Sequence, residues 1–361
     1  MRLLFLALLA LPCFGAYSAC VAFTPAGSQV SGGPHTDYTI KIHVTKSYLA
    51  GTGSGGLVTD ANAYDVVPHS GSDCAVGNKL TAFKVISYNS STGEIYMHVL
   101  RSSFGSSTAT YLGIGDATIT TDQASGSPYD TATRAAWALD DNAASTTVLD
   151  RGANGYNGTH SANTSGKSTT GRLGRAISYA SGSSDYTAVT HNAGLDNVDT
   201  GWSACFWLKQ SATTGVPISK WSAGTGVGFG VYSNGNWYVG DGVSWTSPTA
   251  DRQSDGNWHY YCIAHDTSNF RSYRDGVVVG GPTSVSVHAT TTTDLNFGRD
   301  GRGAGGGYIS ADIDEITIAR SARGVDWFTT EFNMGTQSSF WSITSEPSAS
   351  TAIAGSVIVI Q

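Results

Sequence analysis

The chain has 361 residues, of which 13% are charged, with 45 glycines and a formal net charge of −7. That length exceeds one ordinary β-sandwich and suits two. The acid excess and the lack of any Lys/Arg run leave no electrostatic footprint for nucleic acid, while abundant Gly, Ser and Thr fit an all-β chain of strands and tight turns.

The chain opens MRLLFLALLALPCFGAYSAC. Arg2 gives a short positive start, Leu3–Leu11 an apolar run too short to span a bilayer, and Ala16 and Ser18 the small residues a signal peptidase reads. This predicts a signal peptide over residues 1–18 and a secreted, extracellular or cell-surface protein with no membrane insertion once the signal is removed. A lipid anchor on Cys20 is the alternative. Removal of Cys13 leaves Cys20, Cys74, Cys205 and Cys262, and four thiols in an exported chain suggest two disulfides, with unpaired thiols as the alternative. No CxxC pair or Cys/His cluster of zinc-site spacing occurs.

Residues 19–122 read as a small β-sandwich. Asp37–Val44 alternates strictly, Leu80–Tyr88 and Glu94–Leu100 flank a Ser-Ser-Thr-Gly turn, and Ala109–Gly115 adds another extended run. Cys20 and Cys74 both fall in this block, where a bridge would tie the mature N-terminus to the loop before Lys79. Residues 123–133, rich in Ser, Thr, Gly and Asp and holding Pro128, read as a linker.

Residues 134–341 form a second block. Its centre is Asp255–Gly280, where the runs Trp258–His265 and Phe270–Val279 are rich in aromatic and β-branched residues. Asp275-Gly276 interrupts the second run with the dipeptide suited to a two-residue hairpin. Trp137, Trp202, Phe206, Trp207, Trp258 and Tyr260 are expected to fill the space between two stacked sheets.

The block reads, in order, AAWALDD, DRGANGYNG, GRLGRAISY, SGSSDYTAV, WSACFWLK, ISKW, GNWHYYCIAHD, YRDGVVV, LNFGRDG and YISADIDEITIARSA. This ordered set resembles the laminin-G-like, concanavalin A-like jellyroll domains of secreted proteins. The resemblance implies two β-sandwich domains, the second a concanavalin A-like jellyroll whose first and last strands lie together. It also implies a bridge between Cys205 and Cys262, because the related pentraxins carry a disulfide between the corresponding strands. The passage before the block resembles the end of a small, uncharacterised β-domain that often precedes such modules, although Leu112-Gly113-Ile114-Gly115 departs from its pattern. Phe340–Pro347 resembles the strand that closes such a pair, so residues 342–361 are expected to be a closing strand and a C-terminal tail.

Some members of the resembled group are glucanases, which need acids alternating on one strand face. In Ala311–Ile316, Asp312 and Asp314 share a face, Ile316 takes the third position, and strict alternation sends Glu315 the other way. No catalytic residue is therefore assigned. His259 and His265 flank Cys262 without a nucleophile nearby and receive no role.

Structural calcium is the cofactor expected. The loop Asp150-Arg-Gly-Ala-Asn154-Gly-Tyr-Asn157-Gly resembles a D-x-S-G-N-G loop of the group, with Gly152 and Ala153 in place of its Ser and first Gly. Asp140, Asp141 and Asp314 are expected to complete the oxygen set. The alternative is that Asp150 and Asn154 make turn hydrogen bonds with their own backbone. Trp221, Trp237, Tyr238 and Trp245 lie in Gly-rich connections and are the candidate sugar-stacking residues.

The expected function is a secreted, non-catalytic binding protein that meets a polysaccharide or surface glycoprotein through jellyroll loops, in adhesion or glycan use. The alternatives are a structural module of a cell-surface or virion assembly, with SVIVIQ near the C-terminus pairing with a neighbour, and a glycoside hydrolase. The ligand and the oligomeric state are not legible.

Overall fold

The computed structural model describes residues 17–347 apart from 197–200, 222–226, 242–244, 267, 285–290 and 302–305. Residues 1–16 of the expected signal and the SVIVIQ tail lie outside the described residues. The chain begins with β1 (Ala19–Pro25), β2 (His35–Thr45), β3 (Val66–His69), β4 (Phe83–Asn89), β5 (Glu94–Phe104) and β6 (Thr110–Ile114). These build two facing sheets, one of order β2-β5-β4 and one in which β1, β6 and β3 are joined by the last strand of the chain.

Alternation sends Tyr38, Ile40 and Ile42 of β2 into the space between these sheets, where they meet Phe23, Phe104 and Phe340. Such rings and branched chains each contribute roughly 1.5–3 kcal/mol by leaving water. Thr39 and Lys41, on the opposite face of β2, are buried as well. A strand of a small sandwich should show that face to solvent; here it meets the second unit.

The second unit continues with β7 (Thr133–Trp137), β8 (Thr147–Val148), β9 (Gly158–His160), β10 (Ser168–Thr170), β11 (Arg175–Tyr179) and β12 (Thr187–Val189). Then come β13 (Trp202–Lys209), β14 (Ile218–Trp221), β15 (Val227–Val231), β16 (Trp237–Asp241), β17 (Trp245–Thr246) and β18 (Trp258–His265). The series closes with β19 (Asn269–Arg274), β20 (Val277–Ser284), β21 (Leu295–Phe297), β22 (Ala311–Ala319), α1 (Val325–Met334) and β23 (Trp341–Thr344). One sheet runs β10-β11-β22-β13-β18-β19-β20 with β7 paired to β22, and the other runs β17-β16-β15-β14-β21-β12-β9-β8. Trp137 of β7 sits opposite Ile316 of β22, so the first and last strands of the unit do lie together.

Between these two sheets lies a core holding Trp137, Trp202, Phe206, Trp237, Tyr261 and Phe297. Trp207 and Tyr260, expected there, instead face outward and pack with Phe328 of α1. The reason is period: Phe206 and Trp207 are neighbours on one strand and cannot share a face. Among the described residues the helix is the one long departure from the all-β reading, and it covers this second aromatic face. Asp275 and Gly276 have φ of 54° and 78°, the left-handed pair that a two-residue hairpin between β19 and β20 requires.

Both expected disulfides are present. Cys20–Cys74 ties β1 to the loop before Lys79, and Cys205–Cys262 joins residues directly opposite on β13 and β18, with Cα atoms 4.2 Å apart. By restricting the unfolded chain, each bridge is worth on the order of 2–4 kcal/mol. After α1 the chain returns to the first unit, where β23 pairs antiparallel with β1.

Candidate functional site

Two outer faces of the second unit carry groups of chemical interest. The first is built by β14, β15, β16 and β17. In β15, Phe229 and Val231 point into the core, which leaves Gly228 and Gly230 for the outer face. Across the ladder, Trp221 lies opposite Gly228, Tyr238 opposite Gly230, and Trp245 opposite Gly240. The outer face is therefore a floor of glycine backbone with aromatic rings beside it. A Cβ on Gly230 would come within 2.7 Å of the Trp221 ring, so glycine is what allows that ring to lie down on the sheet.

Trp221, Tyr232, Tyr238 and Trp245 line a shallow cavity of about 170 Å³. Trp221 stands nearly perpendicular to Trp245, at 5.7 Å between centroids, and to Tyr238, at 6.5 Å. Tyr232 and Tyr238 meet edge to face at 5.7 Å. Polar contacts fix two of the rings: Nε1 of Trp221 donates to Asp300 Oδ1 at 2.6 Å, and Nδ2 of Asn234 donates to the Tyr238 hydroxyl at 2.9 Å. Trp221 is the buried base, while Tyr232, Tyr238 and Trp245 are half-buried and present ring surface to solvent.

Of the four candidate stacking residues, Trp221, Tyr238 and Trp245 are thus brought together, and Trp237 is not. Trp237 is wholly buried against Phe206, at 5.9 Å. It precedes Tyr238 on β16, so alternation places it in the core. Tyr232 completes the patch and was missed; the pattern Gly228-Phe-Gly230-Val-Tyr232 carries the signal, because large outer-face residues there can only follow the glycines.

The second face belongs to β22 and β13 and is turned toward the first unit. Between Cys205 and Trp207 the pairing with β22 slips, and Glu315 takes a φ of 51°. This bulge breaks the strict alternation assumed from sequence. Ile313, Ile316 and Ile318 all enter the core, so Asp314 and Glu315 both point outward. The expectation that Glu315 faces away from Asp314 is corrected by that extra residue.

Neither acid is available to a substrate. Glu315 Oε2 pairs with Lys41 Nζ of β2 at 2.8 Å, and Lys41 also reaches Glu331 of α1 at 3.2 Å. The Tyr96 hydroxyl donates to Glu315 Oε1 at 2.5 Å, which obliges His98 Nε2 to donate to Tyr96 Oη at 2.7 Å. The Tyr129 hydroxyl must then donate to His98 Nδ1, also at 2.7 Å. Every member from Tyr129 to Lys41 is buried. Burial raises the Glu315 carboxyl despite the pull of Lys41, and burial followed by the Lys41 charge lowers His98 well below the ordinary histidine range. For Lys41, burial pulls downward, but the Glu315 and Glu331 carboxylates outweigh it and hold the ammonium above its ordinary range. Asp314 accepts from the N–H groups of Arg172 and Leu173 at 2.8 and 3.0 Å, and burial raises its carboxyl strongly.

The expected calcium ligands are spent on the backbone. Asp150 Oδ1 accepts from Ala136 and Gly152, and Oδ2 from Tyr156; Asn157 Oδ1 accepts from Asp150 N–H, while the Asn154 amide donates to Arg134 O. Asp141 accepts from Leu149 N–H and pairs with Arg151, and Asp140 accepts from Arg175 N–H at 2.6 Å. Donors aimed at these oxygens put positive hydrogens where a cation would sit, so the residues present do not fit a calcium cage. Among the described residues no three His, Cys, Asp or Glu side chains gather into a metal-holding group. His259 bonds Asp275 at 2.7 Å and His265 stacks on Phe270, both in scaffold roles.

Residues 181–327 match the sequence model of the concanavalin A-like lectin/glucanases superfamily, and the second unit has the two-sheet architecture of a jellyroll. A search of curated proteins finds no match. Among solved structures, the chain is similar to the binding domain of Paraclostridial Mosquitocidal Protein 1, at 14% identity and a TM-score of 0.40, covering 54% of this chain and 52% of that one. It is similar to the binding domain of botulinum neurotoxin DC in complex with SialylT, at 14% identity and a TM-score of 0.42, covering 56% and 51%. It is also similar to domain 4 of AbnA, a GH43 extracellular arabinanase from Geobacillus stearothermophilus, in complex with arabinotriose, at 15% identity and a TM-score of 0.41, covering 56% and 98%. The chain thus spans about half the length of the first two structures.

Proposed function

We propose that this protein is a secreted, non-catalytic glycan-binding module whose aromatic trough stacks against sugar rings. The observation that carries this reading is the patch of Trp221, Tyr232, Tyr238 and Trp245, on one outer face above glycine backbone. Flat π surfaces take the C–H face of a pyranose, and Asn234 and Asp300 at the rim can orient hydroxyls. The superfamily match is consistent with it, since the description joins lectins with glucanases. A non-catalytic role is supported by the fate of the three acids of β22: Asp312 pairs with Lys209, Asp314 is buried beneath the Arg172–Leu173 backbone, and Glu315 is buried against Lys41 of the first unit.

Export is supported by two disulfides, which persist in oxidising compartments. No helix among the described residues is long and apolar enough to cross a membrane. Polysaccharides or surface glycoproteins are the partners that fit.

The test is a glycan array followed by pull-down on insoluble polysaccharides, run with the wild type and with Tyr238→Ala/Trp245→Ala. Retention of the wild type, with at least a tenfold weaker double variant of unchanged melting temperature, is the expected result. A chain that is retained by no glycan, or a double variant that binds as well as the wild type, removes the reading.

A further inference from the structure

A second cavity lies where the two units meet, away from the aromatic trough. It has a volume of about 410 Å³ and is walled on one side by the β4–β5 hairpin, through Tyr88, Asn89 and Glu94, and on the other by Asp140, Asn142 and Arg175 of the jellyroll. That volume is within the range of small-molecule sites, roughly 300–1,000 Å³, and domain junctions are where such sites concentrate.

Its two carboxylates are held in place rather than left to rotate. Asp140 is 6% exposed and is clamped by Arg175 N–H at 2.6 Å. Gly174 leaves no room to displace it, since a Cβ there would fall 2.5 Å from Asp140 Oδ1. From the opposite wall, His43 Nδ1 accepts from Gly174 N–H at 3.2 Å, which puts the ring proton on Nε2, and Nε2 then orients Glu94 Oε1 at 2.8 Å. A buried carboxylate, a second carboxylate fixed by a histidine, side-chain amides and a guanidinium therefore converge beside one aromatic ring.

Hydrogen-bond acceptors and donors of both kinds, with a single half-buried Tyr88 face, suit a compact molecule bearing several hydroxyls. Carboxylates accept from adjacent hydroxyls, while Arg175 and Asn142 donate to ring or hydroxyl oxygens. Two carboxylates against one guanidinium disfavour an anion. We propose that this junction is a second carbohydrate site, shaped for a neutral hexose, as free sugar or as the terminal unit of a glycan. It exists only in the two-domain molecule, because each unit supplies one wall. The proposal does not depend on the aromatic trough.

The experiment uses the full mature chain carrying Tyr238→Ala/Trp245→Ala, so that the trough cannot contribute. Saturation-transfer NMR and titration are run with D-glucose, D-galactose and D-mannose, with sialic acid as the anionic control. At least one neutral hexose is expected to bind and sialic acid to give no signal. Adding Asn142→Trp, or independently Asn89→Trp from the other wall, is expected to weaken that hexose at least tenfold. Both asparagines are exposed, so either ring fills the groove from outside, and unchanged melting curves verify the fold. Absence of any hexose signal, equal binding of sialic acid, or full affinity in both folded tryptophan variants overturns the proposal. A wild type retained by no polysaccharide, or a trough variant retained as well as the wild type, with hexose binding here intact, would instead contradict the function proposed above.

Discussion

The jellyroll presents two outer faces built from the same alternating strands, and they have opposite fates. On the β14–β17 face, large rings rest on glycine and stay partly in water. On the β13–β22 face, Asp314 and Glu315 point outward and are buried, Glu315 beneath the first unit and α1. The first face spends aromatic surface where a ligand can reach it. The second spends charge where nothing but protein can, and Lys41, Glu315 and Glu331 work as a junction that fixes one domain on the other. Aromatic rings or carboxylates on a lectin-like fold are therefore evidence of function only once their face is known.

The covered face should respond most strongly to mutation. Lys41→Met leaves Glu315 buried without its cation, and breaking such a pair costs about 3–5 kcal/mol, read by chemical denaturation of the full chain. A loss below 1 kcal/mol would show that the junction is wet and that the two faces differ less than described. Trp237→Ala and Tyr238→Ala, one residue apart on β16, set a core ring against a surface ring on a single strand. The first empties the core and costs about 3–5 kcal/mol, while the second leaves stability within about 1 kcal/mol.

Acid titration probes the same junction more gently. His98 is neutral when folded because burial, and then Lys41, lower it. Below the ordinary histidine range the unfolded chain gains a proton that the folded chain does not. Stability is therefore intact above about pH 6.5 and falls as pH drops below it, by up to about 1.4 kcal/mol per unit from this residue. In His98→Gln, denaturation curves between pH 6.5 and 5 should show a shallower fall than in the wild type. The smallest effect concerns calcium. Because the Asp150 oxygens are taken by N–H groups, melting curves with calcium or with chelator should coincide; a calcium-dependent rise would reveal a bound ion through mass action.

Much of the scaffold was legible because period and turn chemistry are local. The Asp275-Gly276 hairpin, the runs of β2, β5 and β18, and the two bridges follow from strand patterning, from turn residues and from the resemblance carried by the ordered motifs. The errors came where local reading meets tertiary context. Composition groups Trp237 with Tyr238, although adjacent strand residues oppose one another. Alternation gives Glu315 a face that the bulge reverses. No motif marks the α1 segment, Val325–Met334, and its helix forms over the Trp207–Tyr260 face, which is a packing cause no single segment displays. Lys41, Tyr96 and His98 look like ordinary strand residues in isolation. Their roles exist only because the second unit lands on them.

Under the proposed function, the glycine-floored aromatic face is where this protein meets its glycan. The most direct measurement is the affinity of Tyr238→Ala for a polysaccharide that retains the wild type, taken beside the melting temperature of both. At least a tenfold loss, about 1.4 kcal/mol, with an unchanged melting temperature is the predicted result. Undiminished retention by a folded Tyr238→Ala chain would contradict it.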